Sequence, residues 1–152
     1  MSQDPRPDDT AILAAAKEFR AALDAIDRTL WQHNHICNFP RGACGHCAEL
    51  LARHLHKRFG ITPDYVSCNL EGEDGRFECG HAWLEWNGLL IDISGDQFGW
   101  APVIMTRTPG PDYTGSRLNM RHRWTLDPDW WGRQCGAIWH AAQSYLAETA
   151  VR

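Results

Sequence analysis

The chain has 152 residues, of which 43% are hydrophobic and 22% charged, with a formal net charge of −4. That length supports one domain with its own core and excludes two independent ones, and the composition is that of a folded chain, not a disordered one. The basic residues are scattered, with Arg117, Arg121, His122 and Arg123 as the densest group. A nucleic-acid-binding surface needs a concentrated basic face, so this group reads as solvated surface.

In chain order, the polar, Pro-containing residues 1–8 read as a flexible leader to a single domain spanning 1–152. Ile12, Phe19, Leu23, Ile26 and Leu30 then recur at helical spacing and predict an amphipathic helix from about Asp9 to Trp31. A second helix is predicted to start near Cys44, after the turn signalled by Pro40 and Gly42. Cys47 or Ala48, Leu51, Leu55 and Phe59 carry its three-four rhythm until Gly60 stops it.

From Asp64 the pattern changes to strands. DYVSCNL is followed by a polar turn, EGEDGR, and then by FECGHAWLEW, Asn87-Gly88 and LLIDIS. Asn-Gly between two such runs is the strongest short-range hairpin signal. A two-residue loop there sets Trp86 opposite Leu89, so Ala82, Leu84, Trp86, Leu89, Ile91 and Ile93 share one apolar face. His81, Trp83, Glu85, Leu90, Asp92 and Ser94 share the other. On that second face His81 and Asp92 are diagonal neighbours within side-chain reach.

Beyond Phe98, APVIMTRT reads as a further strand and TPGPDYTGSR as a loop. LDPDWWGRQCGAIWHAAQSYLAET reads as a closing helix through Cys135, Ile138, Ala142, Tyr145 and Leu146.

No apolar run approaches the ~20 residues that span a bilayer, and MSQDPRPDD lacks the order of a signal peptide. A cytoplasmic chain without membrane association is expected, and export by a dedicated system would leave no mark. The six cysteines, at 37, 44, 47, 68, 79 and 135, are then mostly reduced thiols.

Cys44 is the candidate nucleophile. A thiol attacks a carbonyl carbon as thiolate, and an ordinary cysteine is mostly protonated at neutral pH. The unpaired N–H groups at a helix start favour the anion. An imidazole takes the thiol proton and returns it to the leaving group, and a carboxylate on the other ring nitrogen fixes tautomer and orientation. Cys44, His81 and Asp92 supply this set in chain order. The backbone N–H of Cys44 is the first oxyanion donor candidate, with Gln32 or Asn34 as candidates for the second. Trp83 is placed to line the site or to pack beside it, and Gln97 is placed to contact substrate or to bond within its turn.

Two segments resemble a known family. RGACGHCAELLARHLHKRFGITPDYVSC is similar to the nucleophile segment of the transglutaminase-like branch of papain-fold enzymes, and HAWLEWNGLLIDIS to that family's His-Ala-Trp-x-Glu segment with its following aspartate. The resemblance covers Arg41 to about Phe98. It implies an α+β, papain-like fold, with a nucleophile-bearing helix packed on an antiparallel sheet. It also implies acyl transfer through a thioester: transglutamination, deamidation, or peptide and amide hydrolysis. The implied nucleophile is Cys44, the base His81 and the orienting carboxylate Asp92, with no cofactor and no metal. The implied substrate is a protein, a peptide or a small amide. His46 and Cys47, so close after the nucleophile, are not a family requirement.

The main alternative is a zinc-stabilised or catalytically inactive protein-binding module. Cys44 and Cys47 have ligand spacing, and Cys37, Cys79 or His81 would complete a tetrahedral set, although no second pair stands at finger-like spacing. A thioredoxin-type redox pair fits less well, because its C-x-x-C follows a strand. The other histidines read as surface or satisfied residues, and the loop from Thr106 to Arg117, with Asp112 and Tyr113, is the candidate region for substrate contacts.

Overall fold

The computed structural model describes residues 6–71 and 77–150, without the side chains of residues 71 and 77–79. The first five leader residues, the tip of the EGEDGR turn and the Cys79 side chain lie outside the described residues. The chain forms an α+β fold around a five-stranded antiparallel sheet.

Helix α1 spans Asp9–Ala25, with the Asp8 carboxylate accepting from the Ala11 N–H at 2.8 Å as its N-cap. It does not run on to Trp31 as its apolar rhythm predicts. Ile26 is extended, and the Asp27 side chain captures both the N–H and the hydroxyl of Thr29, at 2.9 and 2.8 Å. That local bonding competes with the helix ladder, so Thr29–Gln32 forms a separate single turn, α2.

Helix α3 spans Cys44–Phe59 and ends where Gly60 takes the left-handed conformation at φ 71°. Strands β1 (Asp64–Glu71), β2 (Phe77–Trp86) and β3 (Leu89–Asp92) follow. Asn87 and Gly88 both have positive φ, as a two-residue hairpin turn of matching twist requires. The ladder pairs Trp86 with Leu89 and Leu84 with Ile91, the register the turn dictates. Strand β4 (Ile104–Thr106) adds to β3.

The loop after β4 contains a short helical turn, α4 (Pro111–Thr114). A strand not read from the sequence follows: β5 (Arg117–Arg123) pairs with β1, giving the order β4-β3-β2-β1-β5. Helix α5 (Pro128–Ala150) closes the chain. No helix among the described residues is long and apolar enough to cross a membrane.

The two sheet faces have different fates. Ala82, Leu84, Leu89, Ile91 and Ile93 pack on the helices in one large core with Phe19, Leu51, Leu55 and Ile138. Each such fully buried aliphatic or aromatic side chain contributes about 1.5–3 kcal/mol relative to exposure. On the opposite face Val66, Cys68, Trp83 and Leu90 form a smaller cluster, closed over by Tyr113 from α4 and flanked by Trp100. His81 and Asp92 stand at this second layer, each 1% exposed.

Candidate active site

Cys44 is the first residue of α3. The opening N–H groups of a helix have no intrahelical acceptor, so its side chain starts in a field that favours negative charge. Burial of the thiol works against ionisation. Hydrogen bonding to His81 and its charge, then the Gln97 amide and the Ala82 backbone N–H, more than offset burial and hold the Cys44 pKa below that of an ordinary cysteine. The other core thiols behave oppositely. Burial drives Cys47 well above the ordinary thiol range and pushes Cys135 up to about 12.

His81 is held from both ring nitrogens. Its Nε2 lies 2.7 Å from Asp92 Oδ2, and its Nδ1 lies 2.8 Å from the Gln97 amide nitrogen. The Gly42 N–H reaches Gln97 Oε1 at 3.4 Å and turns the amide NH2 toward the histidine. In the neutral ring the proton therefore sits on Nε2, facing Asp92, and the Nδ1 lone pair accepts from the Gln97 amide, which has to yield it before the ring takes the thiol proton. Burial disfavours the charged ring. The hydrogen bonds to Asp92 and Cys44, with their negative charge, outweigh it and push His81 up to about 9.

Asp92 is saturated with donors. Besides His81, the Tyr113 hydroxyl donates to Oδ2 at 2.7 Å, and Ser94 donates to Oδ1 through its backbone N–H at 2.9 Å and its hydroxyl at 3.4 Å. Edge-on contacts from Phe98 and Trp100, with ring centroids at 4.8 and 5.7 Å from His81, wall the imidazole from water.

The turn that presents Gln97, a single 3₁₀ turn Gly95–Phe98, is anchored from α1. Arg20, only 5% exposed, grips both Asp96 carboxylate oxygens at 2.7 Å and donates to the Ile93 carbonyl at 2.7 Å. The SGDQF segment is thus a brace as well as a donor loop.

The remaining sequence candidates are placed as follows. Trp83 is 4% exposed, edge-on to Tyr113 at 5.0 Å, and so packs beneath α4 beside His81. Gln32 is exposed on α2. Asn34 spends its amide on the Gln134 carbonyl at 2.6 Å, and no hydrogen bond among the described residues joins either side chain to Cys44 or His81. Two residues enter that sequence reasoning did not assign, Arg20 and Tyr65, and Tyr113, read as part of the candidate substrate-contact loop, is 8% exposed and bonded to Asp92. Tyr113 and Arg20 act on Asp92 and Asp96 through contacts far apart in the chain. Tyr65 stands on β1, and its hydroxyl would lie 3.2 Å from a Cβ at Gly45. Burial, then the charges of Cys44 and Glu49, push the Tyr65 phenol up to about 12, so it remains a hydrogen-bond donor beside the start of α3.

His81 and His54 provide a pH test within one molecule. His54, 3% exposed and stacked on Phe19, is driven down to about 4 by burial and by Arg58 and Lys57. In NMR titrations the His81 ring is expected to lose its proton near pH 9 and the His54 ring near pH 4. In Cys44→Ala the His81 midpoint should move down, because one of its two charge-stabilising partners is gone. The stability held in charged His81 is whole below the unfolded imidazole value of ~6.5 and is lost as pH rises through about 9.

No family model, no curated protein and no solved structure matches this chain. Its class is read from its own geometry: an α+β fold in which a buried, hydrogen-bonded imidazole–carboxylate pair lies beside a thiol at a helix start, whose pKa it lowers.

Proposed function

We propose that this chain is a cysteine-nucleophile acyl-transfer enzyme of the transglutaminase-like, papain-fold kind, acting on an amide carbonyl. The observation that carries the reading is the buried Asp92–His81 pair at 2.7 Å beside a helix-start thiol, Cys44, whose pKa His81 lowers, while Cys47 and Cys135 are raised. A structural thiol has no need of such a pair, and perturbed groups of this kind concentrate at functional sites.

The chemistry follows from where the protons sit. Once the Gln97 amide yields Nδ1, His81 takes the Cys44 proton there, and the thiolate sulfur bonds to the carbonyl carbon. The oxyanion faces the Cys44 N–H, with the Gln97 amide and the Tyr65 hydroxyl as nearby donors. As the carbon–nitrogen bond breaks, Nδ1–H passes its proton to the departing amine and a thioester remains on Cys44. Water or a second amine then attacks the thioester, loses its proton to Nδ1, and the sulfur leaves as thiolate. Asp92 keeps Nε2–H in place throughout and holds the imidazolium that forms in each half-reaction.

The test is to trap the acyl-enzyme. Incubation with glutamine-containing peptides, with and without a biotinylated primary amine, should give a Cys44-linked acyl adduct by mass spectrometry, together with ammonia release or peptide cleavage, all absent in Cys44→Ala. Amine incorporation marks transamidation, ammonia alone marks deamidation, and chain scission marks peptide hydrolysis. A Cys44 that never acylates and alkylates like an ordinary thiol would leave the binding-module reading in its place. Among the described residues no three His, Cys, Asp or Glu side chains gather as a metal-ligand set, and the side chain of Cys79, a candidate ligand of the zinc-stabilised form, lies outside them.

A further inference from the structure

We infer that the outer edge of β5 is a docking strand for an extended, acidic segment of a polypeptide partner, bound by strand addition. Four observations converge on it. β5 ends the sheet, and among the described residues its outer backbone edge pairs with no strand. All seven of its residues are exposed. The exposed large hydrophobic side chains among the described residues, Leu118, Met120 and Leu126 at 56%, 49% and 41%, all lie on this strand or three residues past it. Finally, no carboxylate occurs from Tyr113 through Leu126 in a chain whose net charge is −4, while Arg117, Arg121, His122 and Arg123 all fall on β5.

The register shapes what would fit. A bulge sets Leu118 opposite Cys68 and Met120 opposite the adjacent Ser67, so the two apolar side chains point to opposite faces. Leu118 shares its face with Arg123 and with Arg121, which is paired to Glu85 at 2.7 Å and Asp64 at 3.7 Å, and Met120 shares the other with His122 and Arg117. Each face thus offers one apolar contact beside an arginine, Arg123 with Leu118 and Arg117 with Met120. An added strand with apolar residues at its centre and carboxylates toward its ends meets both faces, and its backbone completes the ladder.

Arginines on an edge strand also guard against self-pairing, and they do so here. An antiparallel β5–β5 pair centred on Met120 would set Arg117 opposite Arg123, a like-charge contact that disfavours a second copy. Guarding does not account for exposed Leu118 and Met120, which an acidic partner with an apolar centre would cover. The edge also connects to the candidate site. His122 stacks on Tyr65 with ring centroids 5.2 Å apart, and the Tyr65 hydroxyl abuts Gly45.

This docking reading stands apart from the chemistry of Cys44, and its test separates the two. The probes are a fluorescein-labelled heptapeptide with a Val/Ile centre and two carboxylate residues at each end, its lysine counterpart, and a labelled single-stranded DNA oligonucleotide. Each is titrated by anisotropy into wild type and Cys44→Ala. The acidic peptide should bind both proteins equally, weaken with salt, and perturb backbone amide resonances in β5 and β1. Arg117→Glu with Arg123→Glu should weaken it about tenfold, Leu118→Asn or Met120→Asn should weaken it further, and the lysine peptide should not bind. The inference is overturned if the acidic peptide fails to bind. It is equally overturned if the oligonucleotide binds as tightly without regard to Leu118 and Met120, which makes β5 a general anion patch, or if sedimentation shows β5 already occupied by self-association that the charge reversals abolish.

Discussion

Replacing His81 with alanine is expected to slow iodoacetamide alkylation of Cys44 at about pH 6 by tenfold or more, to the level of an ordinary thiol or below. A free cysteine with a pKa near 8.5 is only about 0.3% thiolate at that pH. In the wild type His81 supplies both a hydrogen bond and a positive charge to the sulfur, against the opposing effect of burial. Removing the ring removes both and leaves burial uncompensated. Cys37, exposed and free, is the internal standard, and Cys47 and Cys135 should stay unlabelled until the fold opens. Asp92→Asn should have a smaller effect in the same direction, since the ring remains but loses its charged partner at Nε2. On the alkaline side the two readouts part. Alkylation needs only thiolate and should persist above pH 9, whereas acyl transfer needs Nδ1–H for the leaving amine and should fall as His81 deprotonates near 9. Removing that general acid–base should cost turnover about 10²–10⁴-fold. If Cys44 alkylates no faster than Cys37 in the wild type, the activated thiolate does not exist and a binding module is the better account.

What the sequence made legible was what neighbours in sequence decide. Asn87-Gly88 sets the hairpin register, the period of two then sorts faces, and the His81–Asp92 pair follows without any knowledge of the rest of the fold. Gly60 and the apolar rhythm before it likewise mark the end of α3. What stayed hidden depends on contacts that no local pattern encodes. Tyr113, on a Pro- and Gly-rich segment, reaches Asp92 across 21 residues that include β4, Gly42 reaches Gln97 across 55, and Arg20 reaches Asp96 across 76. The break between α1 and α2 was hidden for a different reason. The apolar spacing continues through Ile26 and Leu30, and only the side chain of Asp27, bonding to Thr29, interrupts the backbone. β5 escaped because strand recognition relies on one buried face, and this strand buries neither.

Arg20→Met is expected to lower stability by about 3 kcal/mol and to slow Cys44 alkylation as well, because one side chain holds both the core brace and the turn that carries Gln97. The guanidinium is 6% exposed at its side chain and makes a two-point contact that an ammonium group cannot reproduce. Methionine fills similar volume but strands the Ile93 carbonyl and the Asp96 carboxylate. Asp96, at 28% side-chain exposure, still finds water, which places the cost at the lower end of the ~3–5 kcal/mol for breaking a buried pair. At roughly 2–4 °C per kcal/mol for a domain of this size, the melting temperature should fall by about 6–12 °C. Arg20→Met combined with Asp96→Leu removes both charges and should recover much of that loss. It should not recover alkylation fully, since an apolar contact does not fix the turn's orientation as a fork on a carboxylate does. The two measurements therefore separate the roles. Stability lost with reactivity retained would mean that Gly42 alone positions Gln97. A melting temperature unchanged in Arg20→Met would mean that the pair does not brace the site at all.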